Sequence, residues 1–142
     1  MKIVYQGSPG AYSHLAAKKI YPESEFVSRN TFEDCFKNCH ENEDYKTIIP
    51  VENSIAGRVA DIQYLINKYK LQIYAEHFQE IKHNLMILKD NEMKNVTAVR
   101  SHSQAISQCQ KLINSNKFEP IIAADTAGSA KYISEKKIIS EA

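Results

Sequence analysis

Four short stretches of this sequence set small hydroxyl, amide or glycine residues directly after a run that reads as a strand. They are Gly7-Ser8-Pro9-Gly10-Ala11-Tyr12-Ser13, Glu52-Asn53-Ser54-Ile55-Ala56-Gly57, Ser101-His102-Ser103-Gln104 and Asp125-Thr126-Ala127-Gly128-Ser129. Each leads into a segment that reads as a helix. Ligands of open α/β sheets bind at the carboxyl ends of strands. A helix start offers unpaired N–H groups and a partial positive charge, which hold carboxylates or phosphates. Four such ends facing one cleft would bind a small anion with no basic patch. The same residue types are also ordinary helix caps, so each stretch alone is weakly specific.

Other chemistries fit less well. Gly7-x-x-Gly10 lacks the third glycine of a dinucleotide fingerprint, and no acidic residue stands at the end of a second strand where the ribose would need it. No Walker lysine pattern occurs, which discounts nucleotide binding. Cys35-x3-Cys39-His40 puts both thiols on one helical face beside Phe32 and Phe36, and no second pair completes a tetrahedral metal site; packed thiols are expected, and no metal. No G-x-S-x-G elbow supports a nucleophilic serine. Lys111 and Lys117 read as a solvated helix end.

These residues need elements to hold them. The chain has 142 residues, 43% hydrophobic and 25% charged, which is ordinary for a globular protein of one domain or two small lobes. Net charge is +1, so charge does not favour nucleic acid as a partner. No run approaches the roughly 18 apolar residues of a membrane span, and the N-terminus lacks a signal-peptide core. Three cysteines are too few, and odd in number, for a disulfide framework, and a reducing, cytoplasmic setting is expected. Strand patterns at Lys2 to Tyr5, Thr47 to Val51, Val96 to Val99 and Pro120 to Ala124 alternate with helical spacing at Ala11 to Ile20, from Thr31, at Val59 to Tyr69, at Ala105 to Leu112 and after Asp125. Leu71 to Phe78 and Ile81 to Leu88 also alternate as strands do. Strands alternating with helices predict an α/β fold with mainly parallel sheets. The lobe boundary falls near residues 78 to 81, which predicts one lobe over 1–78 and a second over 79–142.

Together the motifs resemble prephenate dehydratase. Gly7-x-x-Gly10-Ala11-Tyr12-Ser13-His14, Pro50-Val51-Glu52-Asn53-Ser54, Ser101-His102-x-Gln104-Ala105-x3-Cys109 and Asp125-Thr126-Ala127-Gly128-Ser129-Ala130 occur in that family's order and at its spacing. The likeness runs from Lys2 to about Ala142, with Ser103 where the family usually has proline. The family's catalytic domain continues to a strand carrying Thr-Arg-Phe, whose threonine is thought central to catalysis, and a phenylalanine-binding ACT domain usually follows. This sequence contains no Thr-Arg-Phe, so the resemblance implies a catalytic domain truncated at its C-terminal side.

The resemblance implies a two-lobed fold like that of type 2 periplasmic binding proteins, with the ligand cleft between the lobes. It implies prephenate as substrate and loss of CO2 and hydroxide to give phenylpyruvate in phenylalanine biosynthesis, with no cofactor. By motif match, Asn53, Ser101 and Gln108 are the expected catalytic contacts. Ala11, Ser13, Ser54, Thr126, Ala127 and Gly128 are expected to line the substrate, the last two through backbone N–H groups. Gln108 comes seven residues after Ser101, close to two helical turns. Arogenate is an alternative substrate, and a non-catalytic aromatic-acid-binding or sensor module is an alternative role for the same fold. A sheet edge left unpaired by the truncation predicts a homo-oligomer.

Overall fold

The computed structural model describes residues 1–142 and divides into two compact units, Met1–Glu80 and Ile81–Ala142. In the first unit, β1 (Lys2–Gln6) carries Ile3, Val4 and Tyr5, all buried. An apolar run this short, covered on both faces, is the pattern of a central parallel strand. It leads to α1 (Tyr12–Ile20), β2 (Glu25–Arg29), α2 (Phe32–Glu41) and β3 (Tyr45–Ile48). The strands form one parallel sheet in the order β2-β1-β3, with Tyr5 opposite both Ser28 and Ile48.

Helix α1 buries Ala16 and Ala17 and leaves Leu15 46% exposed. The spacing indicates Leu15, Ala16, Lys19 and Ile20 as the buried face, and the structure corrects this. The small alanines let the helix lie close on the sheet, and that turns the larger side chains outward. Thr31 caps α2: its hydroxyl accepts from the Asp34 N–H at 3.1 Å and donates to the Asp34 carboxylate at 2.7 Å. Cys35 and Phe36 face inward, and Phe36 packs with Ile62 and Leu65 of α3 (Ile62–Tyr69).

The structure departs from the sequence reading in several places. No periodicity marks β2, because only Phe26 and Val27 are apolar in an edge strand flanked by Glu25 and Arg29. The stretch from Glu52 to Gly57 is not a helix start. It is a hairpin, β4 (Glu52–Asn53) against β5 (Gly57–Arg58), so Ser54 sits in a turn between strands. Helix α3 therefore begins at Ile62 rather than near Val59, after Asp61 in the left-handed region at φ 67°. Finally, neither Leu71 to Phe78 nor Ile81 to Leu88 forms a strand. Alternation supplies two faces, but a strand also needs a neighbour for its ladder, and no other strand of the chain pairs with either segment.

The second unit is built on β6 (Ala98–Ser101) and β7 (Glu119–Ile122), paired in parallel with Ser101 opposite Ile122. Glu141 bridges to the other side of β6 at Ala98. There the Arg100 guanidinium holds the Glu141 carboxylate at 2.6 and 3.1 Å and lies 4.9 Å from the Tyr132 ring centre. The core joins Val96, Val99, Ile113, Phe118 and Ala142, with Leu85, Ile106 and Cys109 packed against it. The single helix expected across Ala105 to Leu112 is two, α4 (Ser103–Gln108) and α5 (Gln110–Asn116). At the break, the Cys109 N–H is shared between the Ala105 and Ile106 carbonyls. This tightening advances the buried face by one residue, from Leu112 to Ile113. Helix α6 (Thr126–Lys136) comes after β7.

Candidate functional site

In the first unit the strand order β2-β1-β3 reverses direction between β1 and β3. Such a reversal opens a crevice at the carboxyl ends of the two strands, the usual ligand position in sheets of this kind. Both expected turns of this unit leave from there.

The first turn is pinned from three directions. Gly7 and Gly10 adopt φ 105° and 97°, a region closed to most side chains. Ser28 donates its hydroxyl to the Gly7 carbonyl at 2.6 Å. The Gly10 N–H donates to His14 Nδ1 at 2.9 Å, and the His14 ring stacks on Tyr5 with centroids 4.8 Å apart. Ala11 occupies the cap position of α1 and supplies no side-chain cap. Ser13 lies in the first turn of α1, half-buried, and its hydroxyl makes no hydrogen bond within the chain.

The second turn is organised by Asn53. Its Oδ1 accepts from the N–H groups of Ile55 and Ala56 at 2.9 and 3.0 Å, an Asx-turn. This fixes the amide and leaves Nδ2, which has no partner in the chain, as a donor. Ser54 is exposed with an unbonded hydroxyl. Arg58 stands opposite Glu52 in the hairpin register.

In the second unit the exits of β6 and β7 are adjacent, because their strands are paired and the Ala123 N–H donates to the Ser101 carbonyl at 2.9 Å. Ser101 is the last residue of β6 and does not cap α4. That role falls to His102, whose Nδ1 accepts from the Gln104 N–H at 3.3 Å. The Ser101 hydroxyl is therefore free of any partner in the chain. Asp125 caps α6, its Oδ1 accepting from the Gly128 N–H at 2.5 Å. Gly128, expected to offer its N–H to a ligand, donates it to Asp125 in this structure. A Cβ at Gly128 would lie 2.6 Å from Asp125 Oδ2, so the glycine admits the capping carboxylate. Ala127 keeps a first-turn N–H, and Thr126 an unbonded hydroxyl.

Not every serine of the helices is left unbonded. Ser107, Ser115 and Ser129 each donate back to the carbonyl four residues earlier. Those three are satisfied by their own helix; Ser13, Ser54, Ser101 and Thr126 are available to a ligand.

Gln108 ends α4, and Ser101 lies outside that helix, so the two-turn relation expected between them does not hold. Instead Gln108 Oε1 lies 2.9 Å from His83 Nε2. His83 carries no motif and sits in a segment without regular structure, so the sequence offered no signal for it. Burial pushes the Cys35 thiol up to about 12 and the Cys39 thiol up to about 11, away from nucleophilic use. No three His, Cys, Asp or Glu side chains converge as a metal site.

Open parallel sheets whose carboxyl ends carry polar turns and helix starts define an open-sheet α/β protein. The model of the prephenate dehydratase family matches residues 3–142, and the chain belongs to that family. It is 32% identical over 133 residues to a bifunctional N-acyl-homoserine lactone acylase/prephenate dehydratase of Komagataeibacter europaeus, a match covering 94% of this chain and 47% of that protein. It is 31% identical to arogenate dehydratase 2 of Petunia hybrida, over 97% of this chain and 35% of the other. Among solved structures it resembles one described as GqqA, a novel type of quorum quenching acylases, with a TM-score of 0.89, 30% identity, and 99% of this chain and 52% of that one covered. The chain thus spans a third to a half of the length of these relatives.

Proposed function

We propose that the chain acts on prephenate, as the catalytic portion of a prephenate dehydratase. The observation that carries this reading is the set of uncommitted donors at strand exits. In the first unit these are Ser13 Oγ, Asn53 Nδ2 and Ser54 Oγ, beside the start of α1 at Ala11. In the second they are Ser101 Oγ, Thr126 Oγ1 and the Ala127 N–H. A substrate with two carboxylates and a leaving hydroxyl asks for donors and supplies acceptors.

The reaction breaks the bond between the ring and its carboxylate, which departs as CO2. The released electron pair completes the aromatic ring and expels the ring hydroxyl, which takes up a proton and leaves as water. Phenylpyruvate remains. Aromatisation drives the step, and neither oxidant nor reductant is consumed. The protein's task is to orient two carboxylates and to stabilise charge on the departing oxygen. Donors fixed before the substrate arrives do this with little reorganisation. Asn53 fits that task because its oxygen is already spent on the turn, leaving only its donor end to the substrate.

Arogenate dehydratases share the family, as the Petunia relative's name shows. Arogenate carries an amine where prephenate has a keto group. Titration of the chain with each compound tests the choice: tighter binding of prephenate supports the present reading, and tighter binding of arogenate replaces it. Free thiols at all three cysteines fit a reducing, cytoplasmic compartment. A homo-oligomer remains part of this reading, supported by Ile73, Tyr74 and Phe78 at 70–86% exposure in a segment whose backbone pairs with no strand. Light scattering that finds only monomer would remove it.

A further inference from the structure

Resting on the dehydratase reading, we propose that His83 is a positioning residue that turns the Gln108 amide so that its NH2 group faces a carboxylate ligand. Gln108 Oε1 and His83 Nε2 are 2.9 Å apart. An oxygen can only accept, so the His83 ring must donate from Nε2. That bond consumes the acceptor end of the amide. Both hydrogens on Gln108 Nε2 remain without a partner in the chain.

A carboxylate only accepts, so the two orientations of the amide differ in sign toward it. With Nε2 outward, Gln108 offers donors; flipped, it would present a carbonyl oxygen to an anion. His83 decides between them, provided that it is itself held. Leu85 holds it. Leu85 packs against the core of the second unit with Ile106 and Cys109, residues that flank Gln108 along the chain. Leu85 is two residues from His83, so its anchoring tethers the segment that carries His83 beside α4. His83 and Asn84 are both exposed, and the Asn84 amide donates to the Lys82 carbonyl at 3.0 Å, leaving the Gln108 bond to His83.

Two measurements test this. In the first, nitrogen-15 histidine NMR reads the tautomer of His83 at a pH where the ring is neutral. The proton is expected on Nε2, and Q108L is expected to shift that nitrogen. A proton on Nδ1, or a spectrum indifferent to Q108L, overturns the proposal. In the second, prephenate is titrated into wild type, H83L, H83Q, Q108L and the H83L/Q108L pair, with unfolding midpoints measured alongside. H83L is expected to weaken binding about tenfold, the worth of one oriented bond to a charged group. H83Q, which restores a donor, is expected to recover most of that loss. In the Q108L background H83L should add less than about twofold, since His83 acts only through Gln108. Additive losses overturn the role. Wild-type protein that binds no prephenate overturns the dehydratase reading and the role with it. Binding by wild type that H83L leaves intact overturns the role of His83 alone.

Discussion

Tyr5 and His14 lie face to face, their ring centroids 4.8 Å apart and their planes 13° from parallel. The stack carries His14 Nδ1 to the Gly10 N–H, and only an unprotonated nitrogen can accept that bond. Phe26 meets the ring edge-on from β2. Burial, with Lys18 adding to it, holds the His14 pKa below the ordinary 6.5. The unfolded chain therefore takes up this proton at higher pH than the folded one. Stability is full above about 6.5 and declines as pH falls from there through the depressed folded value. Urea unfolding midpoints should drop between about pH 7.5 and 5.5, and H14F, which keeps the stack but cannot titrate, should reduce that drop. A variant with an unchanged pH slope would contradict this.

Asn53 should separate turn from ligand. N53D keeps the oxygen that accepts from Ile55 and Ala56, so unfolding stability should stay within about 0.5 kcal/mol of wild type. It replaces the outward donor with a negative charge, so prephenate affinity should fall at least tenfold. Equal binding by N53D would remove Asn53 from the site.

Gly128 and Asp125 form a single unit. G128A drives a methyl group into the capping carboxylate and should cost about 0.5–2 kcal/mol, the range for a lost helix cap. D125A should cost a similar amount, and the double variant little more than either single one, because the same bond is lost each time. Additive costs in urea titrations would show that the two act separately.

Cys35 and Cys39 should be silent in the folded state. Burial pushes Cys35 up to about 12 and Cys39 up to about 11, so neither supplies appreciable thiolate at mildly alkaline pH. A disulfide-exchange reagent should count at most one fast thiol in native protein and three in denatured protein. Two fast native thiols would contradict the packing of α2.

How much of this could be read from residues depended on whether the cause was local. Thr31, Asn53 and Asp125 act on N–H groups within three positions of themselves, and polar residues after an apolar run disclosed their turns. Pro50 to Ser54 and Asp125 to Ala130 carried the family likeness, which the family match over residues 3–142 establishes. Features made by distant partners were illegible. Edge strand β2 exists because β1 pairs with it, and the hairpin around Ser54 because Glu52 meets Arg58. The strand patterns at 71–88 misled for the converse reason, since alternation was present and a pairing strand was not. His83 reaches Gln108 across 25 positions, a distance no periodicity spans. Gly128 shows a subtler limit: its residue type suited an anion site, but Asp125 had already taken its N–H.

The most direct test of the dehydratase reading is to mix the chain with prephenate and follow binding and phenylpyruvate, with N53D in parallel. Prephenate should bind saturably to the wild-type chain, and N53D should lose that binding. Binding without turnover fits a chain without the Thr-Arg-Phe threonine, turnover above the uncatalysed rate would show that threonine to be dispensable, and the absence of any binding would contradict the site itself.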